Sequence, residues 1–123
     1  IALTQAMLPL LLEAPAGRIV NVSSSVGSLA RMTDPKNPHP IRSVSYIPSK
    51  TALNAVTVNF ANELADTRIK VNAVCPGFVA TDLNAFAGTR TVEQGARAAV
   101  RMALLDDAGP TGTFTDEAGP VPW

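Results

Sequence analysis

The sequence predicts an open α/β sheet, the C-terminal portion of a doubly wound parallel sheet. Stretches with helical spacing of apolar residues alternate with short β-rich runs, and each run ends in a turn of small or polar residues. A helix lies between the runs, and parallel strands need such a crossover. In open sheets of this kind, ligands bind outside the carboxyl ends of the strands. We therefore look for functional residues at that edge.

Each element follows from its local pattern. The predicted helices cover residues 1 to about 13, about 45–66 and 91–105, and Thr91 is a candidate N-cap for the last one. The predicted strands are 18–23, 69 to 74 or 75, and a short one near 113–115. Residues 31–43 carry three prolines and are expected to form a surface excursion without a helix, and 78–90 a loop or short helix.

Composition narrows the class of partner. The chain has 123 residues, 46% hydrophobic and 16% charged, which suffices for one core. Ten basic and ten acidic residues cancel, so neither nucleic acid nor an anionic membrane is an expected partner. Cys75 is the single cysteine, which excludes an intrachain disulfide and favours the cytoplasm. The apolar opening stretch is interrupted by polar residues and prolines and resembles neither a signal peptide nor a membrane span.

The single tyrosine stands in the stretch YIPSK, four residues before a lysine. Four residues are about one helical turn, so Tyr46 and Lys50 share one face of the predicted helix. Taken alone, such a pair is more often a packed tyrosine and a solvated lysine. Ser24 favours a functional role for the pair, because it follows the first strand at the same sheet edge.

These three side chains can perform a definite reaction. A free tyrosine has a pKa of about 10, and a nearby lysine favours the phenolate and lowers that value. A tyrosine tuned in this way can give a proton to a carbonyl oxygen or take one from an alcohol. Ser24 could donate a second hydrogen bond to the same oxygen.

Four stretches together resemble the second half of a classical short-chain dehydrogenase/reductase. They are GRIVNVSSSVG, YIPSK with the helix after it, IKVNAVCPGFVATDL, and TGTF near the end. The resemblance implies an NAD(P)-dependent oxidoreductase that interconverts a carbonyl and an alcohol. Its partner would be a small carbonyl or alcohol substrate, with NADP slightly favoured over NAD as the cofactor.

The resemblance also implies roles for individual residues. Tyr46 would be the catalytic acid/base and would also contact the cofactor, and Lys50 would bind the nicotinamide ribose and lower the tyrosine pKa. Ser24 is chosen among three serines because the family's catalytic serine usually stands three residues before a glycine, here Gly27. Pro76 and Gly77 would line the nicotinamide pocket, with the Val79 backbone and Thr81 near the carboxamide.

The chain also departs from the family pattern. Ser24 and Tyr46 are 22 residues apart, more than is usual, and the excess falls in residues 31–43, as in carbonyl-reductase-like members. The Gly-rich turn that admits a pyrophosphate is absent, and the family's catalytic asparagine would lie upstream of Ile1. We therefore expect residues 1–123 to be an incomplete domain without its N-terminal dinucleotide-binding half, and to be inactive alone.

Other interpretations stay open. An extended member of the superfamily, acting on nucleotide sugars as an epimerase or dehydratase, shares the Tyr-Lys pair. A non-catalytic or truncated remnant is a second alternative. The helix at 45–66 resembles one that pairs subunits in many members, whereas the loop insertion resembles members that are often monomeric.

Several single residues receive structural interpretations. His39 is expected to be a loop histidine rather than a metal ligand, and Cys75 a small buried apolar residue. Asn21 and Asn72 are expected to hold backbone or loops. Trp123 could close over the site or cap the surface.

Overall fold

The protein is described here by a computed structural model that covers residues 1–36, 38 and 41–123, so Asn37, His39 and Pro40 lie outside the described residues. The interpretation of His39 therefore stays a prediction. Within the described residues, the helices are α1 (Ala2–Glu13), α2 (Leu29–Met32), α3 (Tyr46–Glu63) and α4 (Val92–Ala103). The strands are β1 (Arg18–Val22), β2 (Lys70–Val74) and β3 (Phe114–Thr115), and single 3-10 turns occupy Ser25–Gly27 and Asp82–Asn84.

The three strands form one parallel sheet in the order β1-β2-β3. Val20 pairs with Asn72 and Val22 with Val74, so β1 and β2 end at the same level of the sheet. Helix α3 makes the crossover between them, and the predicted parallel α/β sheet is confirmed. Beyond Lys70, every residue of β2 is buried, as a central parallel strand covered on both faces requires.

Helices cover the two faces of the sheet. On one face, α3 packs on Val71 of β2 through Phe60 and Ala61, together with its C-cap residue Leu64. On the other face, Ala98 and Met102 of α4 pack on Val74. Thr91 caps α4 as predicted, because its side chain accepts a hydrogen bond from the Gln94 amide.

Helix α1 has the predicted bounds, and most of its surface is exposed. No residue of α1 is fully buried, and Leu3 and Leu10 are largely exposed. Leu8 and Leu11 are the residues that pack against the core of α3 and β2. None of the described helices is long and apolar enough to cross a membrane.

The expectation of no helix in 31–43 was wrong at its beginning. Helix α2 includes Arg31 and Met32. Two contacts hold this single turn: the Ser28 hydroxyl accepts from the Arg31 amide at 3.1 Å, and the Trp123 carbonyl accepts from the Ala30 amide at 3.0 Å. The second contact comes from the far end of the chain, so local sequence does not reveal it.

The C-terminal segment folds back on β3. Trp123 stacks on Phe114 with ring centroids 5.5 Å apart, and the Val121 amide donates to the Phe114 carbonyl. Trp123 therefore caps the surface beside β3 and is not one of the residues that line the cavity described below.

Candidate active site

A cavity of about 650 Å³ opens where β1 and β2 end and α3 begins. Its walls include most of the residues singled out in the sequence, namely Ser24, Tyr46, Pro76, Gly77, Val79 and Thr81. Its other lining residues are Ser25, Val26, Ile41, Cys75, Phe78, Leu83 and Asn84. Lys50 is not among the lining residues, but its ammonium lies over the Tyr46 ring. The structure thus brings the predicted site residues to one edge of the sheet.

The three consecutive serines have different surroundings. Ser23 is buried, its amide extends the β1–β2 ladder to Val74, and its hydroxyl is bound by Asn54 at 2.6 Å. Ser24 faces the cavity, and among the described residues its hydroxyl has no protein hydrogen-bond partner. Ser25 also lines the cavity, where its amide donates to the Cys75 thiol. Ser23 is therefore structural, and Ser24 and Ser25 remain accessible.

Tyr46 is the first residue of α3, and its amide donates to the Ser43 hydroxyl at 3.1 Å. Pro48 is the third residue of this helix, where a backbone amide has no partner within the helix. The proline is therefore tolerated. The Tyr46 side chain is 45% exposed, so its phenol can be reached from the cavity.

Lys50 lies one turn after Tyr46, with its ammonium 5.7 Å from the centre of the tyrosine ring. Its Nζ donates a hydrogen bond to the carbonyl oxygen of Val22, the last residue of β1, at 3.0 Å. An ammonium has three donors, so two remain for other partners. Lys50 thereby connects the helix that carries Tyr46 to the strand that leads to Ser24.

The loop after β2 is held by its own hydrogen bonds. Gly77 has a φ of +79°, a backbone conformation that favours glycine, and the Arg90 side chain packs directly against it. The Thr89 and Arg90 amides both donate to the Phe78 carbonyl, and Arg90 forms an ion pair with Glu117. Pro76 and Gly77 are thus fixed at the cavity wall.

Asn84 is a residue of this loop that the sequence interpretation missed. Its Nδ2 donates to the Val79 carbonyl at 2.7 Å, and its Oδ1 accepts from the Thr81 amide at 3.2 Å. The Asn84 side chain therefore holds the backbone of both Val79 and Thr81, the residues that the resemblance placed near the carboxamide of the nicotinamide. Asn54 was missed in the same way; it connects α3 to residues 23–27, called the serine turn below.

The structural interpretations of Asn21, Asn72 and Cys75 agree with the structure. Asn21 Nδ2 donates to the Thr57 hydroxyl, and Asn72 binds Pro110 and Thr113 in the loop before β3. Cys75 is buried and free. Within the described ranges, no group of three or more potential ligand side chains is arranged for a metal ion.

Two carboxyl groups with displaced pKa values lie away from the cavity. A hydrogen bond from the Arg18 side chain lowers the pKa of Asp107. Backbone and Thr91 hydrogen bonds at the start of α4 lower the pKa of Glu93. Neither group lines the cavity, so these shifts concern the surface of the fold.

A parallel α/β sheet with Ser24, Tyr46 and Lys50 gathered at its carboxyl edge defines a Rossmann-type protein with a hydroxyl-lined pocket. Comparison with known proteins gives the family: residues 1–91 match the model of the short chain dehydrogenase family, and the chain belongs to that family of oxidoreductases. The family resemblance seen in the sequence is thus confirmed.

Two curated relatives illustrate the similarity. Salutaridine reductase of Papaver somniferum is 34% identical, and the match covers 94% of this chain and 47% of the relative. (-)-Isopiperitenone reductase of Mentha piperita is 36% identical, over 91% of this chain and 46% of the relative. The chain therefore spans about half the length of these relatives.

Several solved structures are similar to this chain in fold and sequence. The structure of salutaridine reductase has a TM-score of 0.79 at 33% identity, covering 94% of this chain and 50% of that chain. Carbonyl reductase Sniffer of D. melanogaster has a TM-score of 0.79 at 29% identity, covering 98% of this chain and 51% of that chain. NADPH-bound carbonyl reductase from chicken fatty liver has a TM-score of 0.69 at 27% identity, covering 98% and 51%.

Proposed function

We propose that the whole protein is an NAD(P)-dependent oxidoreductase that interconverts a carbonyl compound and its alcohol. The observation that carries this proposal is that Ser24 and Tyr46 line one cavity, with the Lys50 ammonium over the tyrosine ring, 5.7 Å from its centre. Membership of the short chain dehydrogenase family supports the same reaction class.

Tyr46 is assigned the proton transfer. In the reduction, the substrate C=O π bond breaks and its oxygen takes the proton of the Tyr46 hydroxyl; in the oxidation, the phenolate takes that proton back. Ser24 donates a hydrogen bond to the same oxygen, which orients the substrate and stabilises its developing charge.

The residues present fit the nicotinamide end of a dinucleotide. Lys50 keeps two donors for ribose hydroxyls after binding Val22, and the remaining wall is formed by Pro76, Gly77, Val79 and Thr81. When bound, the nicotinamide supplies or accepts the hydride at the carbonyl carbon. NADP is slightly favoured over NAD, because carbonyl reductase from chicken fatty liver is NADPH-bound, although a Brucella melitensis relative holds NAD.

The pyrophosphate end is assigned to a region outside residues 1–123. This sequence contains no Gly-rich turn, and the matched relatives are about twice as long. We therefore assign residues 1–123 to the C-terminal part of one Rossmann-type domain.

The substrate is proposed to be a small, largely apolar carbonyl compound. The apolar residues that line the cavity include the buried Val26 and three exposed side chains, those of Ile41, Phe78 and Leu83. The cytoplasm remains the proposed compartment because of the single cysteine. Helix α3 is the proposed surface for pairing with a second copy.

Cofactor consumption tests this function. The full-length protein is expected to oxidise NADPH or NADH when given a panel of apolar ketones and aldehydes, whereas residues 1–123 alone bind neither cofactor. A full-length protein that binds neither cofactor would overturn the proposal and favour a non-catalytic remnant.

A further inference from the structure

Asn54 is a polar residue buried on the helix that carries the proposed catalytic pair. It is 4% exposed and lies four residues after Lys50 and eight after Tyr46, on the same stripe of α3. A buried polar side chain is stable only when its hydrogen bonds are made. The hydrogen-bond partners of Asn54 therefore indicate the role of this residue.

The Asn54 carboxamide binds both ends of the serine turn. Its Oδ1 accepts from the Ser23 hydroxyl at 2.6 Å, and its Nδ2 donates to the Gly27 carbonyl at 3.1 Å. Ser23 immediately precedes Ser24, and Gly27 closes the 3-10 turn that follows it. The side chain thus spans the turn that presents Ser24 to the cavity.

Two further contacts hold this turn. The Gly27 amide donates to the Ser24 carbonyl at 2.9 Å, and Gly27 packs directly against the backbone of Lys50. Ser23 is 2% exposed, so water does not readily replace Asn54 as its partner. Losing the carboxamide would leave the Gly27 carbonyl without this donor and the Ser23 hydroxyl with only the Lys50 carbonyl, 3.4 Å away. The turn could then shift.

We infer that Asn54 is a positioning residue that sets Ser24 at its working distance from Tyr46. This inference rests on the proposed function. It assigns Asn54 no contact with substrate or cofactor, because Asn54 does not line the cavity. Its effect passes through the serine turn.

A second polar contact between β1 and α3 provides a matched control. Asn21 Nδ2 donates to the Thr57 hydroxyl at 2.9 Å, and Thr57 is buried one turn further along α3. Thr57→Val removes a buried strand–helix hydrogen bond of the same kind without touching the serine turn. A merely structural role for Asn54 predicts that both variants behave alike.

The test is a double-mutant cycle in the full-length protein, with kcat measured at saturating cofactor. Asn54→Leu is expected to lower kcat by about 10- to 100-fold, since a misplacement of about 1 Å has such an effect. Cofactor affinity should stay unchanged. In the Ser24→Ala background the same substitution should lower kcat by less than about threefold, because residues that act as a unit are not additive. Thr57→Val should change kcat by the same small factor in both backgrounds.

Equal losses of kcat from Asn54→Leu in the two backgrounds would overturn the inference, and so would wild-type kcat in the folded variant. If Asn54→Leu does not fold, Ser23→Ala removes the first of the two Asn54 contacts from its other end and is judged by the same cycle. Wild-type turnover in Ser24→Ala alone would instead overturn the serine's proposed role, so that single variant separates the two failures.

Discussion

The backbone of Lys50 fills the space that a side chain at Gly27 would need. A Cβ atom at Gly27 would lie 2.8 Å from the Lys50 carbonyl carbon and 2.9 Å from its Cβ. Contacts this short do not occur, so the serine turn approaches α3 closely only because residue 27 is glycine. The glycine that helped to choose Ser24 in the sequence therefore has a packing role.

Gly27→Ala is expected to destabilise the protein by about 1–3 kcal/mol, because the added methyl group must push the serine turn away from α3. Turnover should fall as well, since Ser24 and Tyr46 move apart. Urea unfolding measures the stability. Gly109→Ala is the control, because its added Cβ would meet no atom closer than 3.1 Å. A Gly27→Ala protein as stable as Gly109→Ala would contradict the packing argument.

The architecture was readable from the sequence because its signals are local. Hydrophobic spacing located α1, α3 and α4, and the β-rich runs located β1 and β2, each within a few residues. Thr91 as an N-cap and Pro48 in a first turn follow from the chemistry of helix ends. Helix α2 was missed because the Trp123 carbonyl, distant in sequence, helps to hold it.

The site was readable only in part. The residues expected to meet reactants were identifiable from motifs, and most of them line one cavity. The supporting residues Asn54 and Asn84 were not, because each is one asparagine whose partners appear only after folding. Asn54 did carry a weak signal, because it stands four residues after Lys50 and so extends the helix face shared by Tyr46 and Lys50.

Lys50→Met tests the proposed role of the ammonium. Charged hydrogen bonds contribute about 1.5–3 kcal/mol, so nicotinamide cofactor affinity should fall about 10- to 100-fold, together with turnover. Fluorescence titration of the full-length protein with NADPH measures the affinity. Lys70→Met is the control, because Lys70 lies at the opposite, amino end of β2. Wild-type affinity and turnover in Lys50→Met would exclude the proposed role.

The Asp107 carboxylate makes the stability of the fold depend on pH, and the direction of its pKa shift determines the sign of that dependence. The Arg18 hydrogen bond lowers the pKa of Asp107 in the folded protein, so its stabilising effect is complete above the unfolded value of about 3.9. That effect is lost as the pH falls through the folded pKa. Asp107→Asn should therefore lower the unfolding temperature slightly at about pH 7, and the difference from wild type should shrink towards about pH 3.

Thermal unfolding across this pH range provides the measurement. Asp106→Asn serves as the neighbouring control, since Asp106 forms no ion pair with Arg18 among the described residues. A difference between Asp107→Asn and wild type that grows on acidification would reverse the assigned sign.

The central claim is that the Tyr46 hydroxyl transfers the proton of a carbonyl–alcohol interconversion. Its most direct test is single-turnover kinetics of full-length Tyr46→Phe with saturating nicotinamide cofactor. The account predicts that turnover falls by about 10²- to 10⁴-fold, the usual contribution of a general acid or base, while cofactor affinity changes little. Near wild-type turnover in Tyr46→Phe would contradict it.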